Sequence, residues 1–119
     1  MTDGARLLIK WLTDNVLVTY QEPVSSKAKL PYISLGYTDG NFGEPYVQQL
    51  SIWTRSDSSY SQAYQIADKL DKLIGDNGIL IKDEKTTMWL KRGSPFMQNR
   101  NDPDLTIKAV FVNLEISKY

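Results

Sequence analysis

Between Ala63 and Ile74 the apolar residues Ala63, Ile66, Ala67, Leu70, Leu73 and Ile74 recur at intervals of three and four, with Gln65, Asp68, Lys69, Asp71 and Lys72 filling the opposite side. That period lays one apolar stripe along a helix. The spacing predicts a helix over 57–75, DSSYSQAYQIADKLDKLIG. Asp57, Ser58 or Ser59 can accept bonds from its first unpaired amides, and Gly75 can adopt the left-handed conformation that ends it. A second helical stripe, Leu7, Leu8, Trp11 and Leu12, predicts a shorter helix from Asp3 to about Asn15, with Asp3 as its cap. Trp11 lies on that stripe, which suits a core or rim position as well as an anchor for a partner.

Elsewhere the period shortens toward two, the signature of strands. VLVTY (16–20) predicts a short strand, and LPYISLGY (30–37) a second, with Pro31 near its start favouring an edge. YVQQLSIWTR (46–55) sets Leu50, Ile52 and Thr54 against Gln49, Ser51, Trp53 and Arg55, the pattern of a central strand covered by helices on its aliphatic face. Ile79–Ile81 and Thr86–Lys91 are two further pieces, and LTIKAVFVNLEIS (105–117) is the longest strand signal in the chain. The last two are expected to pair antiparallel across a long break, SPFMQNRNDPD (94–104). Its length exceeds a usual hairpin loop, so either the loop has a task or strand residues extend into it. The order α, β, β, β, α, β, β, β predicts an α+β domain spanning 1–119, a mostly antiparallel sheet with both helices on one face.

Composition narrows the chemistry. The chain has 119 residues and 41% hydrophobic content, enough for one core without metal or disulfide help. It carries 14 basic and 14 acidic residues, so no net field draws it to nucleic acid or an anionic membrane. Without cysteine there is no thiolate nucleophile or disulfide framework, and without histidine the usual neutral-pH acid and base is missing. No secretory leader is expected from MTDGARLLIKWLTDN, and no stretch reaches the roughly 18–20 apolar residues of a membrane span.

A catalytic site would have to rest on carboxylates, a lysine of lowered pKa or a Ser-Lys pair. The carboxylates fall on helix surfaces and turns: Asp83-Glu84 reads as a solvated turn, and Asp68 and Lys72 as a surface pair one helical turn apart. Asp102-Pro103-Asp104 lacks the ligand pattern of a calcium loop, and TDGNFGEP (38–45) lacks the Lys-Ser/Thr ending of a phosphate loop. Lys91-Arg92 beside Trp89, with Arg100, is compatible with nucleic-acid binding but has no excess of basic charge behind it. What stands out is aromatic surface: seven tyrosines and three tryptophans beside polar loops. Phe42, in the middle of one such loop, can plug into a neighbouring subunit or tuck back under its own loop.

SIWTRSDSSYSQAYQIADKLDKLI and TTMWLKRGSPFMQNRNDPDLTIKAVFVNLEI resemble the tail-terminator (tail-completion, or minor capsid) proteins of long-tailed bacteriophages and of prophages of Gram-positive bacteria. The resemblance implies a small α+β subunit that forms a ring, typically a hexamer. The ring would cap the last ring of the tail tube protein, end tube polymerisation and offer a docking surface to head-completion or connector proteins. DNA would pass through its lumen without specific binding. It implies a virion protein of the tail or neck, made in the host cytoplasm, with no membrane partner, no cofactor, no metal and no catalytic residue. On the matching motifs, Trp53, Arg55 and Asp57 fall at the strand-to-helix joint and Trp89, Arg92, Phe96 and Arg100 at the hairpin loop. With Phe42, these are the candidates for subunit or tube contacts. Another neck or head-completion component, or a small nucleic-acid-binding domain, is the alternative expectation.

Overall fold

The computed structural model describes residues 2–38, 40–55, 60–100 and 107–119, and within these the side chains of all but Arg100, Ile107 and Lys108. The elements follow the predicted order: α1 (Asp3–Asn15), β1 (Thr19–Gln21), β2 (Tyr32–Leu35), β3 (Tyr46–Arg55), α2 (Ser61–Ile74), β4 (Ile79–Lys82), β5 (Thr87–Arg100) and β6 (Ile107–Lys118). The fold is α+β. The strands form one six-stranded sheet in the order β1-β2-β3-β6-β5-β4. Every pairing is antiparallel except the short parallel contact of β1 with β2.

β3 is an inner strand, as its alternation predicts, and pairs with β6 along its whole length from Tyr46↔Ile116 to Arg55↔Ile107. This register puts Leu50 and Ile52 on the same face as Val110, Val112, Leu114 and Ile116, and adds Ile33 and Leu35 from β2. All eight are buried, and α2 lays Ala63, Ala67, Leu70 and Ile74 against them. A fully buried leucine or isoleucine contributes about 1.5–3 kcal/mol relative to exposure, so this seam is the main source of fold stability. α2 packs on β3, β6 and β5, while α1 reaches both outer strands, β1 and β4. A helix can touch both edges of a six-stranded sheet only if the sheet curls. The sheet is thus a half-barrel with the helices inside its curve.

Three details differ from expectation. α1 is capped by Thr2, whose hydroxyl accepts from the Ala5 amide at 3.1 Å, with Asp3 in the first turn instead. α2 starts at Ser61, and the residue at its cap, Tyr60, gives no side-chain cap bond; Asp57, Ser58 and Ser59 lie outside the described residues. Gly75 ends the helix with φ 70°, its amide bonded to the Asp71 carbonyl. Leu73, placed on the apolar stripe by spacing, is substantially exposed, because the buried line runs through 63, 67, 70 and 74.

At 94–100 the second of the two alternatives holds. These residues do not form a loop: β5 runs on to Arg100 and pairs Met97↔Val112 through Arg100↔Ala109. Between Arg92↔Leu114 and Met97↔Val112, five steps along β5 face only two along β6, so three extra residues are accommodated in a bulge. Gly93 lies flat on Asn113, where a Cβ would come within 2.8 Å of the Asn113 carbonyl oxygen, and Asn113 Nδ2 donates to the Pro95 carbonyl at 2.8 Å. Pro95 is tolerated because a bulged residue need not donate to a ladder.

Candidate functional site

The residues singled out from sequence separate into three places. Arg92 and Phe96 face the helices. The Arg92 guanidinium ties β5 to the C-terminal end of α2. Its Nη2 donates to Asp76 Oδ1 at 2.6 Å, and its Nη1 lies 3.0 Å from Asp71 Oδ1. The second contact is close but off the hydrogen-bond direction, so that carboxylate oxygen is held by charge rather than by a bond. The bond to Asp76 and the charge of Asp71 raise the Arg92 pKa above its ordinary value. A cation at a helix C-terminus also meets the negative end of the helix dipole. Phe96 packs against the core. Both sit in strand β5 and its bulge, not in the hairpin loop expected for them.

Near the other end of α2 a second tie to β5 forms: Tyr64 Oη donates to Asn99 Oδ1 at 2.8 Å, and the Tyr64 ring stacks on Tyr60 with centroids 5.9 Å apart. Between the two ties the bulge of β5 stands away from the helix. The result is a groove lined by Tyr64, Ala67, Asp68, Asp71, Phe96 and Met97. Its lining is mostly apolar and includes two carboxylates, each already paired within the chain, Asp68 with Lys72 and Asp71 with Arg92. The i, i+4 spacing of Tyr60 and Tyr64 was the one sequence signal for it. Asn99 carried none, since its role depends on β5 continuing.

Trp53 and Arg55 belong to the outer face. Trp53 is opposite Ala109, which is in turn opposite Arg100, and Arg55 ends β3 opposite Ile107. Trp53 Nε1 donates to Ser34 Oγ at 2.9 Å, which lets both groups sit partly or fully out of water. On the neighbouring strands Tyr20 and Tyr32 meet edge to face at 5.6 Å. Burial, then the nearby Tyr20 and Glu22, raise the Tyr32 pKa. Asp57 lies outside the described residues, so the strand-to-helix joint is described only up to Arg55.

Phe42 and Trp89 lie at the opposite end of the sheet. Trp89 is half-buried, its Nε1 sealed against Gly78 without a hydrogen-bond acceptor. Phe42 does not tuck under its loop: it is 75% exposed. It is nonetheless held in place. Phe42 bridges to Lys118, the Gly43 amide donates to the Lys118 carbonyl at 2.8 Å, and Lys118 Nζ lies 5.3 Å from the centre of the Phe42 ring. Val47, 57% exposed opposite Glu115, belongs to the same end. An apolar ring fixed in water by a backbone bond and a cation has the form of a binding anchor.

Among the described residues no three of His, Cys, Asp or Glu come together in a way that could hold a metal ion, and no helix is long and apolar enough to cross a membrane. Asp83 is the turn residue expected, its Oδ1 accepting from the amides of Lys85 and Thr86 at 2.8 Å each. Asp68 pairs with Lys72 at 2.9 Å as its spacing predicts, while Asp102 and Asp104 lie outside the described residues.

No family model matches the chain, and no curated protein matches it. A solved protein chain whose name states no function superposes with a TM-score of 0.62 at 13% sequence identity, covering 98% of this chain and 90% of that one. At that identity the likeness is one of fold alone.

Proposed function

We propose that this chain is a structural subunit of a phage tail or neck, assembling into a ring that caps the tail tube, ends tube polymerisation and presents a surface for head joining. It acts by binding. The observation that carries the reading is the fixed, exposed Phe42 at one end of the sheet, on a chain whose core is already complete without it. Exposure alone would mean little, but a ring held at a fixed position outside the core is a ready contact for a partner. The motifs of the strand-to-helix unit and the β5–β6 unit supply the family to which the proposal is tied. Equal numbers of acidic and basic residues suit a ring through which DNA slides without being gripped.

Mass measurement in solution, alone and after adding purified tail tubes, tests the proposal. The expected species is a closed ring, near six subunits, formed spontaneously or on the tube end. A chain that stays monomeric under both conditions and leaves tube ends free to grow would overturn it. Retention on single-stranded DNA that weakens with salt would instead favour the nucleic-acid alternative, carried by Lys91, Arg92 and Trp89.

A further inference from the structure

Asn77 and Gly78 occupy the turn between α2 and β4, and among the described residues Asn77 is unlike the other asparagines. The others are tied. Asn15 Nδ2 donates to the Trp11 carbonyl at 2.9 Å, Asn41 Nδ2 to Glu44 Oε2 at 3.1 Å and Asn113 Nδ2 to the Pro95 carbonyl at 2.8 Å, while Asn99 Oδ1 accepts from Tyr64. Each is followed by a residue with a large side chain: Val16, Phe42, Leu114 and Arg100. Asn77 is exposed, its side chain has no hydrogen-bond partner among the described residues, and a glycine follows it. The Gly78 nitrogen lies outside the β4–β5 ladder, which begins at Ile79. Asn77 also lines a hollow with Trp89, Lys91, Ser117 and Tyr119. Lys91 runs over the glycine, where a Cβ would come within 2.9 Å of Lys91 Cγ. A side-chain amide, a main-chain nitrogen with no Cβ to screen it and an ammonium group are thus brought together.

We propose that Asn77 is a self-modification site, at which the backbone of Gly78 converts the asparagine into a mixture of aspartyl and isoaspartyl residues. The Gly78 nitrogen gives its proton to hydroxide and attacks Asn77 Cγ. A C–N bond forms, the Cγ–Nδ2 bond breaks, and Nδ2 leaves as ammonia after taking a proton from water, so that a succinimide ring remains. Solvent water then adds to one of the two ring carbonyls, and the ring nitrogen recovers its proton. Cleavage on the side-chain carbon leaves an aspartate, whereas cleavage on the main-chain carbon leaves an isoaspartate whose chain runs through Cβ and Cγ. Nothing is oxidised or reduced. Glycine permits the close approach that the ring closure needs. The Lys91 ammonium favours both the anionic nitrogen and the negative oxygen of the intermediate. The isoaspartyl form inserts a methylene into the main chain beside Gly78, whose α-carbon already lies against the Leu90 carbonyl and Trp89. The turn then holds the start of β4 less firmly. None of this rests on the ring reading.

The test holds the folded, full-length protein at physiological temperature and mildly alkaline pH, then separates and weighs its proteolytic peptides. Conversion is expected at position 77, with both products resolved, while Asn15, Asn41, Asn99 and Asn113 stay intact over the same period. Because the attacking species is the deprotonated nitrogen, the rate should rise about tenfold for each unit of pH. Lys91→Met should slow conversion about two- to fivefold, the scale of one exposed charge, with less slowing in high salt, and Lys91→Arg should keep the wild-type rate. An unchanged rate in Lys91→Met removes the lysine from the mechanism. Conversion at 77 no faster than at the tied asparagines overturns the site itself. So does conversion in the urea-unfolded chain where the folded protein stays intact, because the turn would then be protective. The structural consequence has its own readout. The purified isoaspartyl form should unfold at a lower urea concentration than Asn77→Asp, which gains the charge without the methylene, and equal midpoints would overturn the loosening of β4.

Discussion

Gly78→Ala should be among the more costly single-methyl changes in this chain, and the turn that contains Gly78 provides its own control. Gly75 and Gly78 both have positive φ, 70° and 84°, and Gly75 combines it with ψ −177°, a region open almost only to glycine, so an alanine at either place costs about 1–3 kcal/mol in the backbone. At Gly75 a Cβ would meet nothing within 4 Å. At Gly78 it would lie 2.6 Å from the Leu90 carbonyl oxygen and 2.6 Å from Trp89 Nε1. The carbonyl belongs to the β4–β5 ladder, where Ile79 pairs with Leu90, so it cannot retreat without breaking that pairing. Overpacking of this kind costs about 1–3 kcal/mol. Gly75→Ala should thus lose about 1–3 kcal/mol and Gly78→Ala about 2–6 kcal/mol, compared at constant slope in urea. Unfolding followed by both circular dichroism and tryptophan emission reads the effect, because the indole of Trp89 is the group that must move. Equal losses within about 0.5 kcal/mol for the two variants would show that the strand end yields freely and that the contact of Trp89 with Gly78 is not a rigid part of the fold.

Two further outcomes are expected. Hydrogen bonding to Asp14 and then its charge raise the Lys10 pKa, and Asp68 acts on Lys72 in the same way. A group with a raised folded-state pKa contributes stability that is fully present below its unfolded value, about 10.4, and is lost as pH rises through the folded value. The urea midpoint of Lys10→Met/Lys72→Met should therefore lie slightly below wild type at pH 7 and converge with it on the alkaline side; a gap that grows with pH refutes the assignment. Arg55→Glu, a charge reversal at the exposed end of β3, should impair ring assembly more than folding, and an unchanged distribution of tail lengths in particles carrying the variant would count against a role for the outer face.

What could be read from sequence was what local period decides. Tyr46–Arg55 was readable to the residue because both of its faces alternate cleanly and the following residues break the pattern. The core line of α2 was legible from its spacing, but spacing alone could not tell the centre of the stripe from its flank, where Leu73 emerges. β5 beyond Arg92 was legible only as one of two alternatives, drawn from the length of the break rather than from its residues. GSPFMQNR has the composition of a loop, and it becomes a strand because Val110 and Val112 of β6 present a ladder that Asn99 and Met97 can complete. That is a tertiary cause, and β propensity is weakest as a guide where cross-strand packing decides.

The same distinction governs the candidate site. Trp53 and Arg92 were chosen as surface residues able to meet a partner, but each has a distant internal partner that no local pattern announces. Trp53 bonds Ser34 across 19 positions, and Arg92 meets Asp76 across 16. A large or charged side chain in a polar segment is an ambiguous sign, since satisfying a remote group and waiting for another molecule produce the same letters. Phe42 differs because both of its alternatives were open in the sequence and the geometry separates them: the loop is fastened to β6 and the ring is left outside. Fastening matters as much as exposure. A mobile exposed phenylalanine would give back in ordering entropy much of what it gains by insertion, whereas one already held by Gly43 and Lys118 arrives with that cost largely met by the fold. On this argument Gly43, which lies outside the proposed contact surface, should matter to assembly through the position it gives its neighbour, and the strength of association should track how firmly the loop is tied to Lys118 rather than how much apolar surface it shows.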